Sequence, residues 1–179
     1  QFFRSFLAVI APEMASELHI PASGLGNISA AWFAPFALAQ FLVGPALDRI
    51  GPRRTVPAFM MAGVLGSLLF AWAESGNEAI VAMALIGVGC SAALMGPLYV
   101  FGRVYPFERF ALLAAAMIGF GNIGNLFGGT PLALAAETFG WRGVFVVLAA
   151  IMLAAAALIY AVVRDPPPAA QPPGGRPSG

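Results

Sequence analysis

The amino-acid sequence predicts an all-α integral membrane protein with six transmembrane helices. Only 9% of its 179 residues are charged and 60% are hydrophobic, whereas a soluble domain carries about 25% charged residues. Five stretches without Asp, Glu, Lys or Arg are each long enough to cross a bilayer as a helix, which takes about 20 residues. They cover residues 18–47, 55–73, 79–102, 110–136 and 143–163. This composition excludes a soluble enzyme and a disordered chain, and the scattered arginines exclude a nucleic-acid binder.

The spans are predicted to be helices because lipid cannot satisfy exposed backbone N–H and C=O groups. Barrel strands would be about 10 residues long and would alternate in polarity, whereas these stretches are longer and do not alternate. The predicted spans are 2–18, 25–47, 56–72, 79–101, 110–134 and 143–163. The first span contains Arg4 and Glu13, and we expect it to be the second half of a truncated helix.

The arginines predict the orientation of the chain. One side of the membrane would receive seven of them and the other side only Arg142. By the positive-inside rule, the arginine-rich side is the cytoplasm, so we expect a multi-pass protein of the cell (inner) membrane. Residues 1–164 would form the transmembrane domain. Residues 165–179, rich in Pro and Gly, would form a flexible cytoplasmic segment, either a tail or a linker to a second half.

An internal repeat links two of the predicted loops. An acid, a glycine and an arginine recur with the same spacing 89 residues later: Asp48, Gly51 and Arg53 return as Glu137, Gly140 and Arg142. Three helices separate the copies, and an odd number inverts the topology. The pattern predicts that helices one to three are repeated with inverted topology in helices four to six, as in transporters. The alternative is that the three positions match by chance.

The first copy of the repeat resembles a known signature. Residues 44–56 read GPALDRIGPRRTV, similar to the loop G-x-L-a-D-r-x-G-r-k-x-x-l of the major facilitator superfamily (MFS). The matching residues are Gly44, Asp48, Arg49, Gly51 and Arg53. Ala46, Leu47 and Pro52 depart from the pattern. Phe-Gly-Trp-Arg at residues 139–142, before the sixth span, is a further point of resemblance.

The resemblance implies an MFS half-bundle of two inverted three-helix repeats. It also implies that the loop latches this half to a C-terminal six-helix half, missing from this chain, in one conformation and releases it in another. Asp48 gives support that does not depend on the resemblance. An acid at a helix C-terminus is opposed by the helix dipole and therefore needs a partner. A plain positive-inside anchor would explain the arginines but not Asp48.

Arg4 is the strongest candidate for binding a solute. It lies roughly 20 Å from the end of its helix, where a charge costs about 2.5–3.5 kcal/mol and should face water or a partner. We interpret it as an anion-binding cation, with snorkelling to an interface as the alternative. Glu13 is a candidate coupling carboxylate, or else a carboxylate solvated at the outer interface with Glu17.

Three amides are further candidates for the solute site. Gln40 in the second span, and Asn122 and Asn125 in the fifth, need hydrogen-bond partners in a dry medium. They would either line a cavity or bond to a neighbouring helix. In the fourth span, Met83 stands where proton-coupled members of the family often have an arginine, which argues against proton antiport of the usual kind.

The predicted function is secondary active transport of a small solute, an organic or inorganic anion, by alternating access. We favour a symporter, with a proton or sodium as the coupling ion. The alternative is a non-transporting receptor or assembly module that keeps half of the fold. No catalytic motif, cofactor site or metal site is predicted; Cys90 and His19 alone cannot form a metal site.

Overall fold

The computed structural model describes residues 14–17, 21–127, 130–163 and 165, and their side chains except at 22–23, 123–127, 130–135 and 137. Every regular element in this part of the chain is an α-helix. The helices are α1, described over residues 14–17, α2 (Ala22–Ile50), α3 (Pro52–Ala71), α4 (Gly76–Val104), α5 (Phe107–Phe127) and α6 (Thr130–Val162). The predicted all-helical membrane half-bundle is confirmed.

Four stretches of the described helices are long and apolar enough to cross a membrane: Gly24–Ile50, Pro52–Ala71, Gly76–Val104 and Thr138–Val162. α2 and α4 run past the predicted spans at both ends. The predicted spans leave out the charged residues that flank them, whereas helical hydrogen bonding continues through those residues into the membrane interface. At the start of α4 the Ser75 hydroxyl accepts the Glu78 N–H at 3.4 Å, and the Glu78 carboxylate accepts the Glu74 N–H at 2.8 Å.

The predicted connection at residues 135–142 is wrong as a loop. The chain is helical from Thr130 to Val162, and only Gly140 departs, with φ 69° and ψ 159°. One left-handed glycine redirects the chain without a loop, because it can adopt a positive φ without steric cost. α6 therefore consists of a short part before Gly140 and a long part after it.

Helix α4 lies at the centre of the bundle and packs against α2 and α3, while α6 packs against α3. Glycines bring the backbones together at three points. Gly87 of α4 lies against the Trp32 carbonyl of α2, Gly89 lies against Gly63 of α3, and Gly66 of α3 lies against the Ala82 carbonyl. Small residues allow this because helices in lipid associate mainly through van der Waals packing.

Two clusters of buried side chains fill the interfaces at opposite ends of α3. Near its C-terminus, Phe70 stacks on Phe145 with centroids 4.2 Å apart and meets the edge of Trp141 at 5.9 Å. Near its N-terminus, Val56 and Met60 pack with Val43 of α2 and Ala156 of α6. Helix α5 contributes to neither cluster, and its described side chains are mostly exposed.

We expect Gly89→Ala to destabilise the bundle by about 1–3 kcal/mol, since the new methyl group would overlap the backbone of Gly63, which cannot move aside as a side chain can. The thermal unfolding midpoint of the full-length protein in lipid nanodiscs measures this. Gly26→Ala is the matched control, because nothing lies within 4 Å of its added carbon. Equal midpoints for the two variants would contradict the close α3–α4 approach.

Candidate functional site

The signature loop joins α2 to α3 through a single glycine. Gly51 has φ 88° and ψ 158°, and α3 begins immediately after it at Pro52. Another residue at position 51 would be strained, because L side chains rarely adopt this φ. The Thr55 hydroxyl donates to the Ala46 carbonyl at 3.1 Å and ties the first turn of α3 to the last turns of α2.

Asp48 pairs with an arginine from another helix. Nη2 of Arg103, near the end of α4, donates to the Asp48 carboxylate at 3.1 Å. The Arg103 guanidinium also lies over the Tyr99 ring, 4.6 Å from its centroid. Arg103 is therefore the partner that Asp48 needs at a helix C-terminus. The Asp48 side chain is 61% exposed and keeps acceptor capacity for a further partner.

Arg53 contacts the end of α6 and not Asp48. Its Nε donates to the Tyr160 carbonyl at 2.9 Å, and its guanidinium lies over the Tyr160 ring at 5.1 Å. Its backbone N–H donates to the Asp165 carboxylate at 2.9 Å. Asp165 begins the predicted flexible segment, yet it supplies the N-terminal acid that α3 lacks in its own first turn. We call Asp48, Arg53, Arg103, Tyr160 and Asp165 the loop cluster.

A second charged cluster lies at the opposite end of α3. Nη1 of Arg142 donates to the carbonyls of Ala71 at 3.1 Å and Ala73 at 2.9 Å, and Nη2 donates to the Glu17 carboxylate at 3.0 Å. The Trp141 indole N–H donates to the other oxygen of Glu17 at 2.6 Å. We call Glu17, Trp141 and Arg142, with the two carbonyls, the distal cluster. It ties α1, α3 and α6 together.

The two clusters are related by the inverted repeat. Arg53 at the start of α3 binds the carbonyl of Tyr160 near the end of α6, while Arg142 in α6 binds the carbonyl of Ala71 at the end of α3. Both donor and acceptor positions are shifted by 89 residues, as in the sequence repeat. Gly51 and Gly140 share a positive φ and nearly equal ψ values of 158° and 159°. The sequence repeat therefore coincides with a repeat in contacts and in backbone geometry.

The other candidates stand apart from these clusters. Gln40 is half-buried and Asn122 is exposed, and neither makes a hydrogen bond to another described residue. Both alternatives, lining a cavity and bonding to a neighbouring helix, therefore stay predictions for these two amides. Nothing lies within 4 Å of a carbon added at Gly44, so its close partner is not in the described bundle. Arg49 is exposed at the end of α2.

The side chains of three candidate residues lie outside the described part of the structure. Arg4 and Glu13 lie outside the described residues, and Asn125 lies in α5 with its side chain left out. Their roles stay predictions. In the part of the chain that is described, no three His, Cys, Asp or Glu side chains come close enough to hold a metal ion.

Sequence reasoning did not assign Arg103, Tyr160, Asp165 or Trp141 to either cluster. Two of them carried a usable signal: Arg103 and Asp165 are charges at the ends of apolar spans, where a partner is to be expected. Trp141 stood inside the recognised motif at residues 139–142, but its indole contact with Glu17 depends on the placement of α1. Tyr160 acts through its backbone carbonyl, which has no sequence signature.

The pKa of Glu17 is held below its usual value near 4.5. The main cause is the hydrogen bond donated by Trp141, which favours the ionised form, with a further contribution from Arg142. The carboxylate is about half exposed, so this ion pair is of the modest surface kind.

Comparison with known proteins gives a consistent set of relatives. The family model described as Major Facilitator Superfamily matches residues 1–179. The 4-hydroxybenzoate transporter PcaK of Acinetobacter baylyi is 27% identical over 143 residues, covering 79% of this chain and 31% of the relative. The nitrate/nitrite transporter NrtP of Picosynechococcus is 25% identical over 131 residues, covering 70% and 24%. The galacturonate transporter of Dickeya chrysanthemi is 26% identical over 152 residues, covering 83% and 43%. The chain spans less than half the length of each of these relatives.

We expect Asp165→Ala to destabilise the protein by about 1 kcal/mol, as loss of a helix N-terminal acceptor does. The Arg53 N–H would lose its partner, and the positive end of the α3 dipole would lose its acid. Equilibrium unfolding in nanodiscs measures the effect, with Glu108→Ala as a control in the first turn of α5. A larger loss in the control would count against the assigned role.

The stability contributed by Glu17 should depend on pH. Because its folded pKa is lowered, the contribution is complete above about 4.5 and is lost as the pH falls through the folded pKa. Wild type should therefore have a higher unfolding midpoint than Glu17→Gln at pH 7, and the difference should shrink below pH 4.5. Glu74→Gln, which removes an exposed carboxylate at the same end, is the control for the loss of one charge. A pH-independent difference would contradict the Glu17–Trp141 contact.

Proposed function

The chain belongs to the major facilitator superfamily, and from that membership we propose that it is the N-terminal half of a secondary active transporter that moves a small anion by alternating access. The observation that carries the proposal is the inverted repeat, with arginine-to-carbonyl contacts exchanged between α3 and α6. Repeats of inverted topology are typical of secondary transporters, in which one bundle rocks against another around a midplane site. The relatives above are all named as transporters.

An anion is the favoured class of solute. The solutes in the relatives' names, 4-hydroxybenzoate, nitrate or nitrite, and galacturonate, are all anions at neutral pH. In this chain, Arg4 is the basic residue that falls deep within a predicted span, and the other arginines fall at helix ends, at the Gly140 break or in the Pro-rich segment. An anion bound at the midplane would therefore find its counter-charge in Arg4, with Gln40, Asn122 and Asn125 as further cavity-lining candidates.

The loop cluster is proposed to be the conformational switch. Asp48 pairs with Arg103 but its side chain stays 61% exposed, and Arg49 and Arg54 are exposed near it in the loop. Gly44 leaves an open surface one turn earlier on α2. A C-terminal half would dock on this surface in one conformation and leave it in the other. A charge pair that is partly exposed can be exchanged at low cost, which suits a contact that forms and breaks.

The coupling ion is a proton or sodium, and Glu13 is the candidate carboxylate. A symporter in the cell (inner) membrane, with residues 165–179 as the cytoplasmic link to the second half, agrees with the arginine distribution. Uptake into proteoliposomes under an imposed pH or sodium gradient separates the two ions. Glu13→Gln would remove the response to the gradient while leaving exchange of the solute intact.

The function is tested with the full-length protein that contains this chain, reconstituted in proteoliposomes. Uptake of labelled 4-hydroxybenzoate, nitrate and galacturonate is measured against empty vesicles. Saturable uptake of one of these anions supports the proposal. Absence of uptake for all three, in protein shown to be folded, favours the alternative of a receptor or assembly module that keeps half of the fold.

Arg4→Gln should lower anion uptake at least tenfold, because the solute would lose its counter-charge in a low-dielectric site. Arg109→Gln, an exposed arginine at the start of α5, is the matched control and should transport normally. The initial uptake rate, corrected for the amount of protein in the vesicles, is the measurement. Unchanged uptake in Arg4→Gln would defeat the anion hypothesis.

A further inference from the structure

The Trp32 indole N–H lacks a hydrogen-bond acceptor in the interior of the bundle. Trp32 is only 8% exposed, and its Nε1 is the one buried side-chain polar atom in the described chain without a partner. Leaving such a donor unpaired costs free energy comparable to a lost hydrogen bond, so an orphan in a native structure requires an explanation.

The orientation of this donor is fixed by its neighbours. The indole stacks on Phe36 at 4.7 Å with an interplanar angle of 15°, and it meets Phe33 edge-on at 5.1 Å. The backbone of Trp32 lies directly against Gly87 of α4, where an added carbon would collide with its carbonyl. The ring cannot turn to seek another acceptor without breaking this packing. The donor is therefore held in place in advance of any ligand.

Cys90 of α4 lies beside the indole nitrogen without reaching hydrogen-bond geometry. It is half-buried and packs against the same cluster of side chains as Trp32. Sulfur is a weak acceptor, so the thiol does not satisfy the indole. Phe36, Gln40 and Cys90 are all half-buried, so a strip of partly accessible side chains runs along α2 and α4 near the orphan donor.

This strip lies at the depth where a solute would bind. At 1.5 Å per residue, Trp32 is about 15 Å and Phe36 about 21 Å from the start of α2. Cys90 is about 21 Å from the start of α4, and both helices begin on the same side of the membrane. Arg4 has a predicted depth of roughly 20 Å along α1. The unpaired donor and the thiol therefore lie near the depth that the sequence predicts for Arg4.

We propose that Trp32 Nε1 donates a hydrogen bond to an oxygen of the transported anion, in a subsite of the α2–α4 groove that Cys90 borders. The proposal deepens the proposed function and rests on it. The subsite would take an oxyanion with a planar apolar body, such as an aromatic carboxylate. The anion's oxygen would accept the hydrogen bond of the indole N–H, and its apolar body would lie against the exposed faces of Phe33 and Phe36.

The first test removes the donor and keeps the aromatic surface. In the full-length protein, Trp32→Phe should raise the KM for 4-hydroxybenzoate uptake about 10-fold, as loss of one hydrogen bond to a charged group does. The maximal rate should stay near that of wild type. Trp72→Phe is the control, because Trp72 is 68% exposed at the end of α3. Unfolding midpoints of both variants verify that neither change acts through stability.

The second test uses the thiol as a reporter of occupancy. 4-Hydroxybenzoate should slow the alkylation of Cys90 by N-ethylmaleimide in membranes, as followed by mass spectrometry of the peptide that contains Cys90. Trp32→Phe should need about 10-fold more 4-hydroxybenzoate for the same protection. Galacturonate, which is not planar, should protect less than 4-hydroxybenzoate does.

The outcomes separate the two proposals. Transport by wild type with an unchanged KM in Trp32→Phe, and no protection of Cys90, overturns the Trp32 subsite and leaves the transporter proposal standing. Protection of Cys90 without transport supports the subsite and counts against transport. Absence of both transport and protection overturns both proposals.

Discussion

The bundle depends on the antiparallel pairing of α3 and α6, which an arginine closes at each end. The last carbonyls of a helix have no intrahelical donors, and in or near lipid they cannot rely on water. Arg142 donates hydrogen bonds to the carbonyls at the end of α3, and Arg53 donates one to a carbonyl near the end of α6. Each arginine also places a positive charge at the negative end of a helix dipole. Each repeat thus supplies the donor that the other repeat lacks, so neither three-helix unit is complete alone.

This pairing determines which surfaces remain open. Because α3 packs against both α4 and α6, the close contacts at Gly63, Gly66 and Gly89 leave little room for relative movement of α3 and α4. Helix α2 is held to α4 on one face only, and its other face exposes Phe41 and Leu42. Helix α5 exposes Phe120 and Leu112 in the same way. Apolar surface is thus left for lipid or protein on α2 and α5, and also on α6, where Ile151 and Leu158 are exposed.

Much of this architecture could be predicted from the sequence because the bilayer imposes one strong rule, that long uncharged segments are helices. The same rule cannot find where a helix ends, and it predicted a loop over residues 135–142 where one residue, Gly140, turns the chain. The repeat was predictable from Asp48, Gly51 and Arg53, because a tight turn and its charges need those residue types. The hydrogen-bond acceptors of Arg53 and Arg142 could not be predicted, because Tyr160 and Ala71 accept through backbone carbonyls, which every residue has.

The distribution of polarity with depth separates the structural charges from the functional ones. In the described helices, each charged residue lies within a few residues of a helix end or of the break at Gly140, where a carbonyl, a helix dipole or water stabilises it. The middle of the bundle therefore contains polar groups without charge, chiefly Trp32, Gln40 and Cys90. Such groups can orient an anion but cannot neutralise it, and burying an unpaired charge is far more costly than burying an unpaired N–H. On the proposed function, a midplane anion site in this half would therefore combine these neutral donors with a cation on α1. Arg4 is the arginine that the predicted spans place deep enough to supply it.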